Sequence, residues 1–425
     1  MFDIATDAQG VLTRPVQPAV PLCEPAIRGN AWDYVKDCLD TGWVSSVGAY
    51  VDRFEREVAD AVGTAYAVAT MNGTAALHTA LLVAGVEPDD EVLVSTLTFI
   101  APANAIRYAG AWPVFIDAEP EHAQMDVGRA IDFLNMECVW RHGALYDRRT
   151  GRCVRAVIPV HILGHPVDLD PLLEAARGYG LAVIEDATES LGARYRARRV
   201  GALGDIGCFS FNGNKLITTG GGGMLVTDDD DRARMARYLT TQAKDDPVEF
   251  VHGCVGFNYR LTNLQAALGV SQMEQLAAFL AAKHRIAATY DAALADVPGI
   301  TPLPEAPWAA SAKWMYAVLV DAERFGMSSR ELLRALADWQ IQTRPLWQPL
   351  HRSLAHRDAR PMPCPVAERL HRDALCLPCS VGLTAEQQSR VIAAVREAYE
   401  AHDAHEARGT TGTHAGTQGT RDGSR

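Results

Sequence analysis

From about residue 65 to 230, short apolar runs alternate with stretches of helical period. The apolar runs are "YAVAT" (66–70), "EVLVST" (91–96), "WPVFIDA" (112–118), "RAVIPVHILG" (155–164), "LAVIEDA" (181–187), "DIGCFSF" (205–211) and "GGMLVT" (222–227). Between them lie "GTAALHTALLVAG", "IAPANAIRYAG" and "DPLLEAARGYG", which carry apolar residues at helical spacing. Strands that are apolar on both faces and separated by helices predict an α/β fold. Its sheet is mostly parallel and flanked by helices on both sides. Such sheets hold ligands beyond the carboxyl ends of their strands.

Residues 120–153 break this rhythm, and "RHGALYDRRTGRC" reads as a polar hairpin-like insertion. A single long amphipathic helix is expected over 262–294, capped by Thr262 or Asn263. The weaker pattern after it, to about 405, predicts a smaller C-terminal α+β domain. Its last helix opens at Thr384, with Gln387 at capping-box spacing. The division expected is a large ligand-binding domain with an N-terminal arm over 1–285, a small domain over 286–406, and a disordered Gly/Thr-rich tail over 407–425.

Composition narrows the class. The chain has 425 residues, 48% hydrophobic and 22% charged, as in a globular enzyme. A net charge of -12 argues against nucleic-acid binding, which needs a basic face. No apolar run approaches the roughly 20 residues of a membrane span. "MFDIATDAQGVLTRP" lacks the pattern of a secretory signal, so a cytoplasmic location is expected. Nine cysteines from Cys23 to Cys379 do not suggest a disulfide framework in a chain of this size. "CLPC" (376–379) has redox-motif spacing but no second pair to complete a zinc site, and ordinary thiols are expected there.

The stretch "FSFNGNKLITTGGGGML" (209–225) sets Lys215 between a strand end and four glycines, with no acid close in sequence. That makes it a poor salt-bridge partner and a candidate amine nucleophile. In "IEDATES" the carboxylate of Asp186 falls at the end of a strand, on the ligand side, where it needs a partner. Pyridoxal phosphate satisfies both, because its aldehyde combines with a lysine and its pyridine nitrogen needs an acid. The competing reading is that Asp186 caps a helix at "DATE". Gly73 and Thr74, at a strand-to-helix turn, and Ser210 are candidates for the phosphate. Phe99 could stack on the pyridine or pack in the core. Glycines 220–223 lack the spacing of a nucleotide motif and are expected to turn the chain into the next strand. His161 and His165 lie on a strand-to-turn segment and are expected to be structural or pocket-lining.

Six motifs, "NGTAALHTALL", "STLTFIAPANAI", "GHPVDLDPL", "IEDATESLGA", "GDIGCFSFNGNKLITTGGGGML" and "NYRLTNLQAALG", resemble in order those of the DegT/DnrJ/EryC1/StrS sugar aminotransferases over residues 25–400. "GHPVDLD", "EDATESLG" and the insertion resemble the LegC-type branch, which aminates C4 of nucleotide-linked 4-keto-6-deoxy sugars. The resemblance implies a fold-type-I, aspartate-aminotransferase-like architecture and a homodimer with shared active sites. It implies pyridoxal phosphate as cofactor and L-glutamate as amino donor. Lys215 would be the Schiff-base lysine and Asp186 the partner of the pyridine nitrogen. Gly73, Thr74 and Ser210 would hold the phosphate, Phe99 would stack on the ring, and Asn258 would reach the neighbouring subunit's phosphate. Glu189 stands where many members have His or Gln, beside the cofactor's phenolic oxygen. The substrate expected is a UDP-linked 2-acetamido-2,6-dideoxy-4-ketohexose, with GDP-4-keto-6-deoxymannose as the alternative. "GWVSSVGAY" (42–50) and "TRPLWQPLH" (343–351) offer groups for sugar and diphosphate, although Trp43 and Trp347 could equally be core. A sugar dehydratase of the same family, with histidine in place of the lysine, and a non-catalytic family member are the rival readings.

Overall fold

The computed structural model describes residues 5–6, 12–13, 18–246 and 248–411, with side chains over 18–246 and 248–401. Its centre is a nine-stranded sheet. Seven strands form the main path: β1 (Tyr66–Thr70), β2 (Glu91–Ser95), β3 (Trp112–Ile116), β4 (Cys153–Ile158), β5 (Ala182–Asp186), β6 (Ile206–Ser210) and β7 (Gly223–Thr227), in spatial order β1-β7-β6-β5-β4-β2-β3. The pairs from β6 to β3 are parallel, and on this main path only β7 runs against both its neighbours. The other two strands, Cys138–Arg141 and Ala144–Asp147, form the expected hairpin, which pairs onto the start of β4.

Alternate residues of each strand feed different cores. Val92, Val94, Ile184, Ile206 and Leu225 belong to one, and Leu93, Val183, Phe209, Met224 and Val226 to the other. With a period of two, this accounts for runs that are apolar throughout. The first core continues into a second, antiparallel sheet made of β8 (Ile300–Pro302), β9 (Tyr316–Val320), β10 (Arg344–Pro345) and β11 (Ala374–Leu377), in order β8-β9-β11-β10. This is the smaller α+β layer.

Helices α1 (Ala31–Thr41), α2 (Ala49–Val62) and α3 (Gly73–Val83) belong to the N-terminal half. The expected single helix over 262–294 is two helices, α4 (Asn263–Met273) and α5 (Leu276–Leu294). The break falls at Glu274, whose carboxylate accepts from Asn30 (2.8 Å), Tyr34 (2.7 Å) and Arg53 (3.0 Å). These tertiary contacts from α1 and α2 anchor the residue at the junction, and Gln275 N–H closes the turn on Gln272 at 3.0 Å. Thr262 caps α4 in a capping box with Gln265. Thr384 and Gln387 exchange side-chain-to-backbone bonds at 3.2 and 3.0 Å ahead of α6 (Ala385–Thr411). That helix runs into the expected tail, so residues 407–411 are helical; residues 412–425 lie outside the described residues. The line expected between domains at 285/286 falls inside α5. Among the described residues no helix is long and apolar enough to cross a membrane.

Candidate active site

Strands β1, β2, β5 and β6 point the same way, so the segments leaving their carboxyl ends collect on one edge. After β1 comes Asn72, whose Oδ1 accepts from Ala75 N–H at 2.8 Å and starts α3 at Gly73. The first amides of a helix have no intrahelical acceptor, and here the helix start lies beside a hydroxyl. A Cβ on Gly73 would lie 2.8 Å from Ser210 Cβ, 3.2 Å from Ser210 Oγ and 3.3 Å from Thr188 Cγ2. Glycine is what lets the helix start approach the end of β6. β7 enters from the same edge, and a Cβ on Gly223 would collide with the Asn72 carbonyl, so this glycine also begins its strand under close approach.

Asp186 ends β5 and is 2% exposed. No helix follows it, so it is not a helix cap. Thr188 N–H donates to Asp186 Oδ1 at 3.1 Å in a turn. Burial raises its carboxyl above the ordinary range, against the pull of Thr188, Lys215 and His161. A cationic ring nitrogen is the partner such a buried carboxylate lacks.

Lys215 does have an acid partner, which its sequence neighbourhood concealed. Its Nζ donates to Glu189 Oε1 at 3.3 Å. Glu189 is 5% exposed, and its Oε2 accepts from Leu163 N–H at 2.8 Å. Burial pushes the Glu189 carboxyl up, Lys215 pulls it down, and Asp186 adds to the rise. On the other side the Lys215 ammonium lies over the Trp314 ring, 4.1 Å from its centroid. The Trp314 indole donates to Asn214 O at 2.8 Å and stacks on Trp347 at 6.4 Å and 9°. Trp314 is 100 residues from Asn214 in the chain. No spacing or motif links the two, which is why sequence reasoning missed it.

Lys215, Asp186, Glu189, Ser210, Gly73 and the adjoining Thr74 therefore share one edge of the sheet. Phe99 comes after β2 at that edge and is 56% exposed, so it is not core. Asn258 is exposed, and its backbone pairs with Thr241. Among the described residues, no side-chain bond or ring contact joins Phe99 or Asn258 to the Lys215 cluster. Trp43 is exposed and Trp347 part-buried. The histidines are structural. His161 Nδ1 accepts from Val167 N–H, leaving Nε2–H for Glu185 at 3.1 Å. His165 Nε2 accepts from Ala306 N–H at 3.0 Å. Glu185 also accepts from the Gly201, Leu203 and Gly204 amides. Burial opposes its charge, but His161 and the amides outweigh it and hold the carboxyl below its usual range. The helix start beside a hydroxyl, the amine and the buried acid at the strand end fit pyridoxal phosphate. No described cluster of three His, Cys, Asp or Glu could hold a metal.

Residues 25–396 match the model of the DegT/DnrJ/EryC1/StrS aminotransferase family. The chain belongs to that family. It is a pyridoxal-phosphate-dependent sugar aminotransferase. A GDP-perosamine synthase of Caulobacter vibrioides is 40% identical over 379 residues, covering 89% of this chain and 98% of its own. One from Escherichia coli O157:H7 is 35% identical over 380 residues, with the same coverage of both chains. Among solved structures, DesV of S. venezuelae, in complex with a ketimine intermediate, superposes with a TM-score of 0.80 at 31% identity. That likeness covers 90% of this chain and 99% of DesV. The fold is thus the aminotransferase fold that the motifs implied.

Proposed function

We propose that this aminotransferase moves the amino group of L-glutamate to C4 of a nucleotide-linked 4-keto-6-deoxy hexose, and that the sugar is GDP-4-keto-6-deoxymannose. The observation that carries the chemistry is Lys215 Nζ, 3.3 Å from a buried Glu189 and on the same edge as the buried Asp186. The choice of sugar rests on the two GDP-perosamine synthases at 40% and 35% identity. It replaces the UDP-linked acetamido sugar expected from the LegC-like motifs.

Pyridoxal phosphate, when bound, supplies an aldehyde that accepts an amine and a ring that draws electrons from it. The residues present would divide the remaining work. The α3 amides at Gly73 and Thr74, with the Ser210 hydroxyl, would bind the phosphate, since helix starts attract anions. Asp186 would hold a proton on the ring nitrogen. Phe99, open at the edge, would lie against the ring face. Lys215, once free, would take the α proton of the amino donor as general base. Glu189 would steer that amine, and its raised carboxyl would tolerate the cofactor's phenolic oxygen by carrying a proton. Asn258 would act across a homodimer, on the neighbouring subunit's phosphate. We place the enzyme in the cytoplasm, where nucleotide sugars are made.

The test is turnover of GDP-4-keto-6-deoxymannose with L-glutamate by the cofactor-loaded protein, reading the amino sugar and 2-oxoglutarate. A parallel reaction uses the UDP-linked 2-acetamido-4-keto sugar. Turnover of the UDP sugar alone overturns the choice of nucleotide and keeps the aminotransferase; turnover of neither overturns both.

A further inference from the structure

Behind Lys215 lies a cluster of groups that the reaction does not use. The segment before α1 carries Cys23, and the residues after β11 carry Cys379. Cys379 N–H donates to Leu22 O at 2.8 Å, and Glu24 N–H donates to Ser380 Oγ at 2.9 Å. The bond from Cys379 N to Leu22 O and the one from Glu24 N to Ser380 Oγ hold the two segments side by side at Cys23 and Cys379.

A buried lysine binds both. Lys283, 2% exposed, donates from Nζ to Cys379 O at 2.5 Å and Trp314 O at 2.7 Å. The same nitrogen lies 3.6 Å from Cys379 Sγ and 3.9 Å from Cys23 Sγ. None of these four contacts is a carboxylate, and a lysine this deep needs a counter-charge. Sulfur can supply it. The neighbouring Cys23 side chain, aided by Lys283 and opposed by burial, holds Cys379 down at about 6. The neighbouring Cys379 side chain, with burial, keeps the proton on Cys23. Cys23 Sγ also reaches Asn214 O at 3.3 Å, next to Lys215.

We propose that Cys23 and Cys379 form an oxidisable dithiol that hydrogen peroxide closes to a disulfide. The Cys379 thiolate attacks one peroxide oxygen, the O–O bond breaks and hydroxide leaves. The sulfur of Cys23, the part-exposed member, then attacks the Cys379 sulfenic sulfur, the S–O bond breaks, and the Cys23 proton leaves with that oxygen as water. One thiol and one thiolate become a disulfide, and the peroxide becomes water and hydroxide. Cys376, the other half of "CLPC", is not the partner. It sits within β11, paired to Ala317 and Arg344, and burial pushes its thiol up. Closure removes one of the two donors to Asn214 O, leaving the Trp314 indole there, and takes the anionic sulfur from Lys283, whose other bond holds the Trp314 carbonyl. The consequence for activity rests on the reading of Lys215 as the cofactor-bearing lysine.

Full-length protein carrying Cys254→Ser, to silence the exposed thiol, is treated with hydrogen peroxide, alkylated while denatured and digested without reductant. The expected product is a linked Cys23–Cys379 peptide, lighter by two hydrogens than its reduced parts and lost on adding dithiothreitol. Cys23→Ser should give no link. Recovery of Cys23 and Cys379 as separate alkylated or sulfinic peptides, or a Cys376–Cys379 link, overturns the proposal. Sugar amination should fall several-fold in the oxidised protein and return with dithiothreitol, while Cys23→Ser stays insensitive. A mapped link with unchanged turnover overturns the coupling to Lys215. Protein inactive before oxidation overturns the aminotransferase reading, and the mapped link then decides the disulfide alone.

Discussion

Lys215 Nζ donates to Glu189 Oε1 at 3.3 Å from under the face of Trp314. The amine is thus held between a carboxylate and an aromatic face that attracts cations. Both neighbours are 5% exposed or less, so neither contact is screened as a surface pair would be. This relationship orients a lysine that otherwise rests on a turn, where its own N–H bonds Asn212 O at 3.0 Å.

Lys215→Ala should abolish sugar amination, a loss of at least about 100-fold for a general base. The side chain is part-exposed and its removal leaves Glu189 bonded to Leu163, so the protein should still fold. Circular dichroism checks the fold and a coupled 2-oxoglutarate assay checks the rate. Turnover near wild type would sink the mechanism.

Asp186→Asn separates two jobs of one side chain. The amide oxygen can still accept from Thr188 N–H, so the turn and the melting temperature should hold. An amide cannot keep a ring nitrogen protonated, so kcat should fall by at least about 100-fold. A lowered melting temperature with an unchanged rate would reverse that assignment.

Stability should depend on pH through Glu91, at the start of β2. The carboxyl is 1% exposed; burial pushes it up to about 7, with Thr150 pulling down and Asp147 pushing further up. Thr150 Oγ1 donates to its Oε1 at 2.8 Å, while Oε2 has no partner. The folded state holds this proton more tightly than the unfolded chain, whose carboxyl titrates at the ordinary 4.5. The contribution is therefore full below about 4.5 and is lost as pH rises to about 7, at no more than about 1.4 kcal/mol per unit for one proton. Urea melts of wild type and Glu91→Gln should show the difference between them shifting against wild type across that window and levelling above it. A pH-independent difference would contradict the assignment.

Asn258 is exposed in a single chain and remote in bonding from Lys215. If it serves the neighbour's phosphate, mixing inactive Lys215→Ala with inactive Asn258→Ala subunits should restore part of the activity. One site of each mixed dimer then has its own Lys215 and an intact Asn258 from the partner. A fully active monomer in sedimentation at assay concentration would refute the shared site.

Much of the site was legible because its signals are local. Alternating apolar runs and helical periods specify a covered sheet, and parallel strands send their carboxyl ends to one edge. Asp186, Ser210 and Gly73 each stand at a strand end or within three residues of one, so their place at that edge comes from chain order alone. Family motifs then attached chemistry to those positions. What sequence could not supply were relationships between segments that meet only after folding. The periodicity of 262–294 reads as one helix; three side chains from α1, α2 and the residue before α1 grip Glu274 and break it in two. "DATE" has the composition of a helix start, but the chain turns there instead and leaves Asp186 facing the site. Lys215 has no acid among its sequence neighbours, yet β5 and β6 lie side by side and the loops after them bring Glu189 to its amine. Trp314 and the Cys23–Cys379 pair arrive from the second sheet and the N-terminal segment. Local pattern determines which elements form and which edge they serve, because backbone geometry repeats over a few residues. Packing of distant segments decides which side chains touch the Lys215 amine, because no repeat in the chain encodes those meetings.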